Sequence, residues 1–544
     1  MNKPKEMMNK YPNQQKAIGS LAIILVLFAC QKEFVPLDDP YGGGKEPFGI
    51  SFTRNFSYPE IAEPGDRVTY YVKGLKPYEG QYEFLINDQS VEVVTTTDST
   101  VEVVVPEMIS SGAATIKMEN QFFNGPVLYI DGQVSVDENF NIVTGFDGLV
   151  TSILPQSGGH IIGGLFTDFE NEASETVFRN GIHYINSLGE SDGMLNFQEG
   201  VGGYVNDIAA QANKYYLGGS ISTFNERATS NVTRLNADGT LDSMVVEVLN
   251  PDPNRPENGL DTVPAFNGGT LGGVGGGTFQ AGEVLKVFPV ENNNVILLGS
   301  FYYHQRIDYR FSSRETRRII RTPVRNVMRM KEDGSLDSTY MMGNAGANGA
   351  IYDGTTQGNG KVVIVGDFTT FNGRPANRIV RLNADGSLDE SFGVGSAADD
   401  EITGIQYNPN IGKMIVFGRF TSFNGIPVNG VAVLNESGDI DPAFQFRVEG
   451  EGTIWKAHIL NGGKILVSHS YAAYDGIKRA SVLILEPDGT ASQRYNNIGV
   501  FGGIVESVVE TTSSLGNPAV LLGGLIAQVE QQRVGGIVKL EIRD

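Results

Sequence analysis

One stretch of this chain returns almost residue for residue 52 positions later. Lys361-Val362-Val363-Ile364-Val365-Gly366-Asp367-Phe368-Thr369 comes back as Lys413-Met414-Ile415-Val416-Phe417-Gly418-Arg419-Phe420-Thr421. Aligned on the glycine that ends the apolar run, the slot recurs at Gly164, Gly219, Gly299, Gly366, Gly418, His469 and Gly524. Successive slots lie between 51 residues (418 to 469) and 80 residues (219 to 299) apart. A period near 50 residues with Gly-rich strands marks a propeller. Each unit is long enough for four short strands, and no blade can bury both faces without neighbours. The Val/Ile run before each glycine fits a strand covered on both sides. The run Ile379-Val380-Arg381-Leu382 suits a following strand that is partly exposed, and Asn383-Ala384-Asp385-Gly386 supplies a turn.

The ring also carries a mark of closure. The seventh unit stops at Ile537-Val538-Lys539-Leu540, before any Leu-Asp strand. Ser135-Val136-Asp137-Glu138-Asn139-Phe140, ahead of the first unit, matches Ser387-Leu388-Asp389-Glu390-Ser391-Phe392. This upstream piece is expected to supply the outer strand of the last blade, which removes the free edges of an open array. The fold class is therefore all-β, with a seven-bladed propeller over 131–544 closed by an N-terminal strand.

Short alternating segments separated by Gly, Pro, Asn and Asp fill residues 48–130: Val68–Val72, Tyr82–Ile86, Val91–Val94, Val101–Val105 and Ala114–Met118. They predict a small β-sandwich. Upstream, Lys3, Lys5, Lys10 and Lys16 precede the apolar run Leu21–Phe28 and Leu27-Phe28-Ala29-Cys30. A basic start, a short apolar core and a small residue before the cut describe a secretory signal over 1–29. The run is too short to span a bilayer. Residues 30–47, with Pro36, Pro40, Gly42, Gly43, Gly44 and Pro47, form a tether.

Cys30 is the only cysteine of 544 residues, so no disulfide forms within the chain, and 40% hydrophobic residues must provide the core. The formal charge is −22, and about −25 once residues 1–29 are removed. That excludes nonspecific nucleic-acid binding, which needs cations to displace phosphate counterions. It also opposes adhesion to anionic lipid.

Several resemblances follow from these residues. Leu27-Phe28-Ala29-Cys30 resembles the bacterial lipobox, which implies lipid attachment at Cys30 and anchorage in the outer membrane. Gln31-Lys32-Glu33 is similar to the export signal of Bacteroidetes surface lipoproteins, which implies the outer leaflet. The order Pro64-Gly65, Val72-Lys73-Gly74, Phe84, Val105-Pro106, Gly112 resembles the immunoglobulin-like TIG/IPT family, whose members act as spacers or binding modules. The repeat, with Gly-Asp/Arg-Phe-Thr and Leu-Asn-x-Asp-Gly-Ser-Leu-Asp, looks like the delta-60 β-propeller repeat, strongest in units two, four and five. The whole plan resembles Bacteroidetes surface lipoproteins that accompany polysaccharide uptake, which implies glycan capture beside outer-membrane transporter proteins.

Candidate chemistry is sparse. Asp137, Asp242, Asp337, Asp389 and Asp441 recur with the repeat; calcium ligation is weighed against the bonding of backbone amides at a turn, and the turn is preferred. His160, His183, His304, His458 and His469 form no metal-ligand pattern. No nucleophile elbow or phosphate loop occurs, so neither catalytic residue nor cofactor is assigned. Two departures from the repeat attract the functional reading. Residues 250–281 are a Pro/Gly-rich insertion, and Leu271–Gly277 within it reads as flexible loop. Residues 302–325 bring Tyr302, Tyr303, Arg306, Tyr309, Arg310 and Arg314 together as a candidate ligand-binding patch. A solvated hairpin extending two strands stands beside that reading. Trp455, the only tryptophan, is read as an inner-blade core residue ahead of a carbohydrate-stacking one.

The expectation is a non-enzymatic surface lipoprotein that binds glycan. A scaffold subunit of an outer-membrane complex and a propeller polysaccharide hydrolase or lyase are the alternatives.

Overall fold

The computed structural model describes residues 48–543 apart from 175–177, 276–277, 281, 342–344 and 493. The signal segment 1–29, Cys30 and the tether 30–47 lie outside the described residues. No α-helix occurs among the described residues, only strands and short 3-10 turns, and none is long and apolar enough to cross a membrane.

Residues Ser51–Ile130 form two facing sheets. One holds Ser51–Phe52, Arg67–Lys73, Thr100–Val104 and Val93–Thr96; the other holds Ile61–Ala62, Gln121–Ile130, Gly112–Met118, Glu83–Ile86 and Gln89–Ser90. Tyr70, Phe84, Val101, Ile116 and Leu128 fill the space between them. The long strand Gln121–Ile130 runs through Gly125-Pro126, which breaks its sequence signal. The pairing skips there, from Thr115–Asn124 to Ala113–Val127, so the proline without an N–H falls in a bulge.

Seven antiparallel blades follow. Their middle strands are Gly159–Leu165, Lys214–Phe224, Asn294–Gly299, Lys361–Gly366, Lys413–Gly418, Ile465–His469 and Pro518–Val529. Each is flanked by an inner strand before it and a third strand after it. The expected outer fourth strand is found only in blade seven. In blades one to six the outer segment makes a single bridge, such as Leu382–Leu388 or Leu434–Ile440, before it turns away. In these blades the outer segment follows the third strand through a tight turn such as Asn383–Gly386, which leaves little chain to pair, whereas that of blade seven arrives from upstream and pairs over Val134–Val136. Past the bridge, Asp389 Oδ1 accepts from the Ser391 N–H (3.0 Å) and hydroxyl (2.6 Å).

Closure is as expected. Val134–Val136 pairs antiparallel with Ile542–Leu540 as the outer strand of blade seven. Blades seven and one share a core of Leu521, Ile537, Val150, Ile153 and Phe140.

The third strands are buried, not partly exposed. Arg381 is 6% exposed because the next blade covers it. Its guanidinium binds Asp389 Oδ2 (2.7 Å) in its own blade and the Glu436 carbonyl (2.5 Å) of the next. Arg234 to Asp242 and the Glu332 carbonyl, and Arg329 to Asp337 and the Ala384 carbonyl, repeat the clamp. At the closure Lys539 takes the role, donating to the Ser187 carbonyl of blade one (2.6 Å) and facing Asp137 at 3.7 Å. The recurring aspartates thus serve a turn and a blade-to-blade clamp.

The sandwich is docked on blades six and seven by buried polar contacts. Ser110 Oγ donates to the Asn496 carbonyl (2.6 Å), the Ser111 N–H to the Asn497 carbonyl (2.8 Å), and Arg479 to Ser110 Oγ (3.1 Å).

Candidate functional site

The glycine slot of the repeat has a structural cause. Opposite it the inner strand carries one extra residue, and it does so in all seven blades: Thr151, Asn206, Leu285, Tyr352, Thr403, Trp455 and Glu506. The carbonyl ahead of each bulge closes on the middle strand. A Cβ at Gly164, Gly219, Gly299, Gly366, Gly418 or Gly524 would lie 2.0–2.2 Å from it. A bulge re-aims side chains, and these seven residues are the ones it takes out of the regular alternation. Only blade six departs from the glycine rule, with the buried His469 in the slot.

Blade six is also where the ring opens. Three successive bulge residues, Thr403, Trp455 and Glu506, line one cleft of about 500 Å³ with Arg419, Asn429 and Tyr471. Trp455 is half-buried, so its indole is not enclosed in the blade core as the sequence suggested. Tyr471 stands beside it, its ring 6.1 Å from that of His469. Threonines 403, 421 and 453 and the glycines 418, 430, 450 and 452 complete the walls. Aromatic faces among hydroxyl, amide and charged groups are what a polyhydroxylated ligand needs.

Below the cleft the inner strands hold Asp207, Lys286, Asp353 and Lys456. Lys286 Nζ lies 3.5 Å from Asp353 Oδ1. Asp207 and Asp353 also tie blades together, accepting from the Val287 N–H (2.9 Å) and the Ile405 N–H (3.0 Å). The Asp353 charge, against the cost of burial, holds the Lys286 ammonium above the usual lysine range. Burial, followed by the charge of Lys286, pulls Lys456 down. Burial pushes the Glu506 carboxyl up, opposed by Lys456 and Lys286. The field of each group is strong because water is scarce there.

The patch over 302–325 takes a different form. Tyr303–Ile307 and Ile319–Pro323 make an outgrown hairpin, with Gly269–Leu271 on its other edge. The glycine-rich segment read as loop folds as a small hairpin, Val274–Gly275 with Thr278–Phe279. The Phe279 ring meets Tyr303 at 5.5 Å and lies under Arg321 at 4.6 Å. Tyr302 is covered by Arg325 at 4.9 Å. Arg314 donates to the backbone carbonyls of Leu260 and Glu257, both at 2.7 Å. Arg310 pairs with Asp308 at 3.2 Å, and Arg317 with Asp261. Of the six, Arg306 and Tyr309 line one cleft of about 260 Å³ with Arg317, Asn267 and Phe266. Tyr302, Arg310 and Arg314 are instead engaged by Arg325, Asp308 and the Leu260 and Glu257 carbonyls. Arg314 and Arg317 hold the hairpin to the upstream insertion, while Arg310 pairs within the hairpin itself.

The histidines are core residues. Burial lowers His160 to about 4, His183 and His458 to about 3, and His469 to about 4. His304 faces the Gly334 carbonyl at 3.0 Å. Among the described residues no three of His, Cys, Asp and Glu come together as metal ligands.

Residues 29–126 match the model of a domain of unknown function, DUF5008. Residues 213–243, 357–392 and 412–444 match DUF5122, a β-propeller domain of unknown function; these are units two, four and five. No curated protein matches the chain. Among solved structures the chain is similar to the WD40 β-propeller domain of Doa1, at 13% identity and a TM-score of 0.37 over 75% of this chain and 96% of that one. It is also similar to an auxiliary nutrient binding protein from Bacteroides thetaiotaomicron, at 12% identity and a TM-score of 0.27 over 91% and 97%. The chain thus carries a DUF5008 domain followed by DUF5122 propeller repeats.

Proposed function

We propose that the protein is a non-enzymatic binding lipoprotein of the outer membrane surface, anchored through Cys30, that captures a saccharide in the cleft between blades five and six. One observation carries this reading: the bulge of blade six puts the half-buried Trp455 on the wall of a cleft of about 500 Å³, beside Tyr471 and polar side chains. The TIG/IPT-like sandwich holds the ring away from the anchor, and the captured glycan passes to an uptake system. Because Trp455 is the only tryptophan, emission excited selectively at tryptophan reports on this site alone. Titration with a panel of soluble oligosaccharides is expected to change that emission saturably with at least one of them. Failure of every member, or release of reducing ends or unsaturated sugar during incubation, overturns the reading. Cys30→Ser is expected to shift the protein out of the membrane fraction.

A second reading, a scaffold subunit, has one observation in its favour. The outgrowth of blades two and three exposes Val245, Leu249, Val274, Phe311 and Ile319. Copurification with a membrane barrel at fixed ratio, lost in an Ile319→Asp variant, would favour it.

A further inference from the structure

The following rests on the Trp455 cleft as the binding site. Two charged side chains line that cleft, and they differ in what they already hold. Arg419 is engaged: its Nε lies 3.1 Å from Glu401 Oε1, while Tyr352 donates to the other oxygen of Glu401 at 3.2 Å. Glu506 is not. Among the described residues no cation stands within ion-pair distance of its carboxylate and no donor bonds it; the charges it feels are those of Lys456, Lys286 and Asp353 in the channel. Lys286 is already taken by Asp353. Neither lysine lines the cleft, so a ligand seated there reaches Glu506 and not the ammonium groups below.

A desolvated carboxylate without a partner is costly, and a ligand that brings a cation recovers that cost through a charge-assisted hydrogen bond. The aromatic walls act in the same direction, since the faces of Trp and Tyr attract cations. A uronate or sulfate would instead place like charge beside Glu506. We propose that the cleft is selective for saccharides bearing a free ammonium group, with the ammonium on Glu506 and a sugar ring against Trp455. Asn429 and the threonines are left for the hydroxyls.

Three ligands of equal length separate the outcomes: a chitosan oligosaccharide, its fully N-acetylated counterpart and an oligogalacturonide. Each is titrated into the full chain at low salt and at several pH values from neutral to mildly acidic, followed by Trp455 emission. The amine form is expected to bind about tenfold or more tightly than the other two. Glu506→Gln, which keeps the shape of the side chain, is expected to erase that preference. Equal or tighter binding of the acetylated or acidic ligand sinks the substrate class but leaves the site standing. A preference for amine that survives in E506Q removes Glu506 from the account. If none of the three ligands, and no member of the wider panel, alters the emission, the site itself falls, and this selectivity with it.

Discussion

The outgrowth at 302–325 and the cleft of blade six are both departures from one repeat, yet they use their side chains in opposite ways. The outgrowth departs loudly, by length and by seven arginines. Much of that charge is spent internally, on Asp308, Asp261, backbone carbonyls and the faces of Tyr302, Phe279 and Phe311. Blade six departs quietly, by one residue in a glycine slot, and leaves Trp455 and Glu506 facing open volume. The lesson is that composition marks where a chain differs from its repeat. Whether the difference is available to a ligand depends on what the residues have already bound.

The comparison can be broken most severely by removing the platform beneath both regions. Deletion of Val134–Phe140 takes away the closing strand, the Asp137 turn and the buried Phe140. Its expected effect is a fall in the unfolding midpoint on the order of 10 °C or more, followed by calorimetry. An unchanged midpoint would mean that the ring does not depend on closure. Next comes the clamp shared by ordinary blades. Asp389→Ala leaves Arg381 buried without its carboxylate, and should cost about 3 kcal/mol in urea unfolding. Gly366→Ala forces a Cβ against the Ala350 carbonyl and should cost about 1–3 kcal/mol. The smallest effect belongs to the outgrowth: Arg310→Ala, whose side chain is 82% exposed, should stay within about 0.5 kcal/mol.

Acidity sharpens the same contrast. Burial alone would raise Asp389, but bonds from Lys361, Ser391 and Arg381 outweigh it and hold the carboxyl below its ordinary range. Asp137, Asp337 and Asp441 are lowered too, again with hydrogen bonds outweighing burial. Groups with depressed folded values stabilise the protein above their unfolded pKa, and that stabilisation disappears as pH falls through the folded values. Glu506 has the opposite sign: its raised value means that protonation comes early and relieves a buried charge. On acidification, therefore, loss of amine binding at Glu506 should precede loss of the fold. Emission titrations and circular dichroism across one pH series will check the order. Asp389→Asn should weaken the pH dependence of stability without moving the pH dependence of binding.

Much of this architecture was legible before any coordinates. The glycine slots counted the blades, and Ser135–Phe140 announced the closing strand. What escaped did so for physical reasons. A bulge is a mismatch between two strands, and one strand's residues do not disclose it; its trace was the glycine opposite, read only as a landmark. Trp455 therefore reads from sequence as an inner-blade core residue ahead of a carbohydrate-stacking one. Arg381 looked half exposed because the turn that covers it belongs to the next blade. The expected fourth strands shrank to single bridges because a tight turn returns the chain beside the third strand with little length left to pair. Arginines 310 and 314 looked free for a ligand, since their partners, Asp308 aside, come from an insertion more than 50 residues upstream.

The most direct measurement compares two variants on one ligand. With whichever oligosaccharide alters Trp455 emission in the parent chain, affinity is read by calorimetry for Trp455→Ala and for the double variant Tyr309→Ala/Arg310→Ala. The account predicts that W455A loses about tenfold or more, while the double variant binds like the parent. Full binding by W455A together with loss in the double variant would return the ligand to the arginine outgrowth and contradict the account.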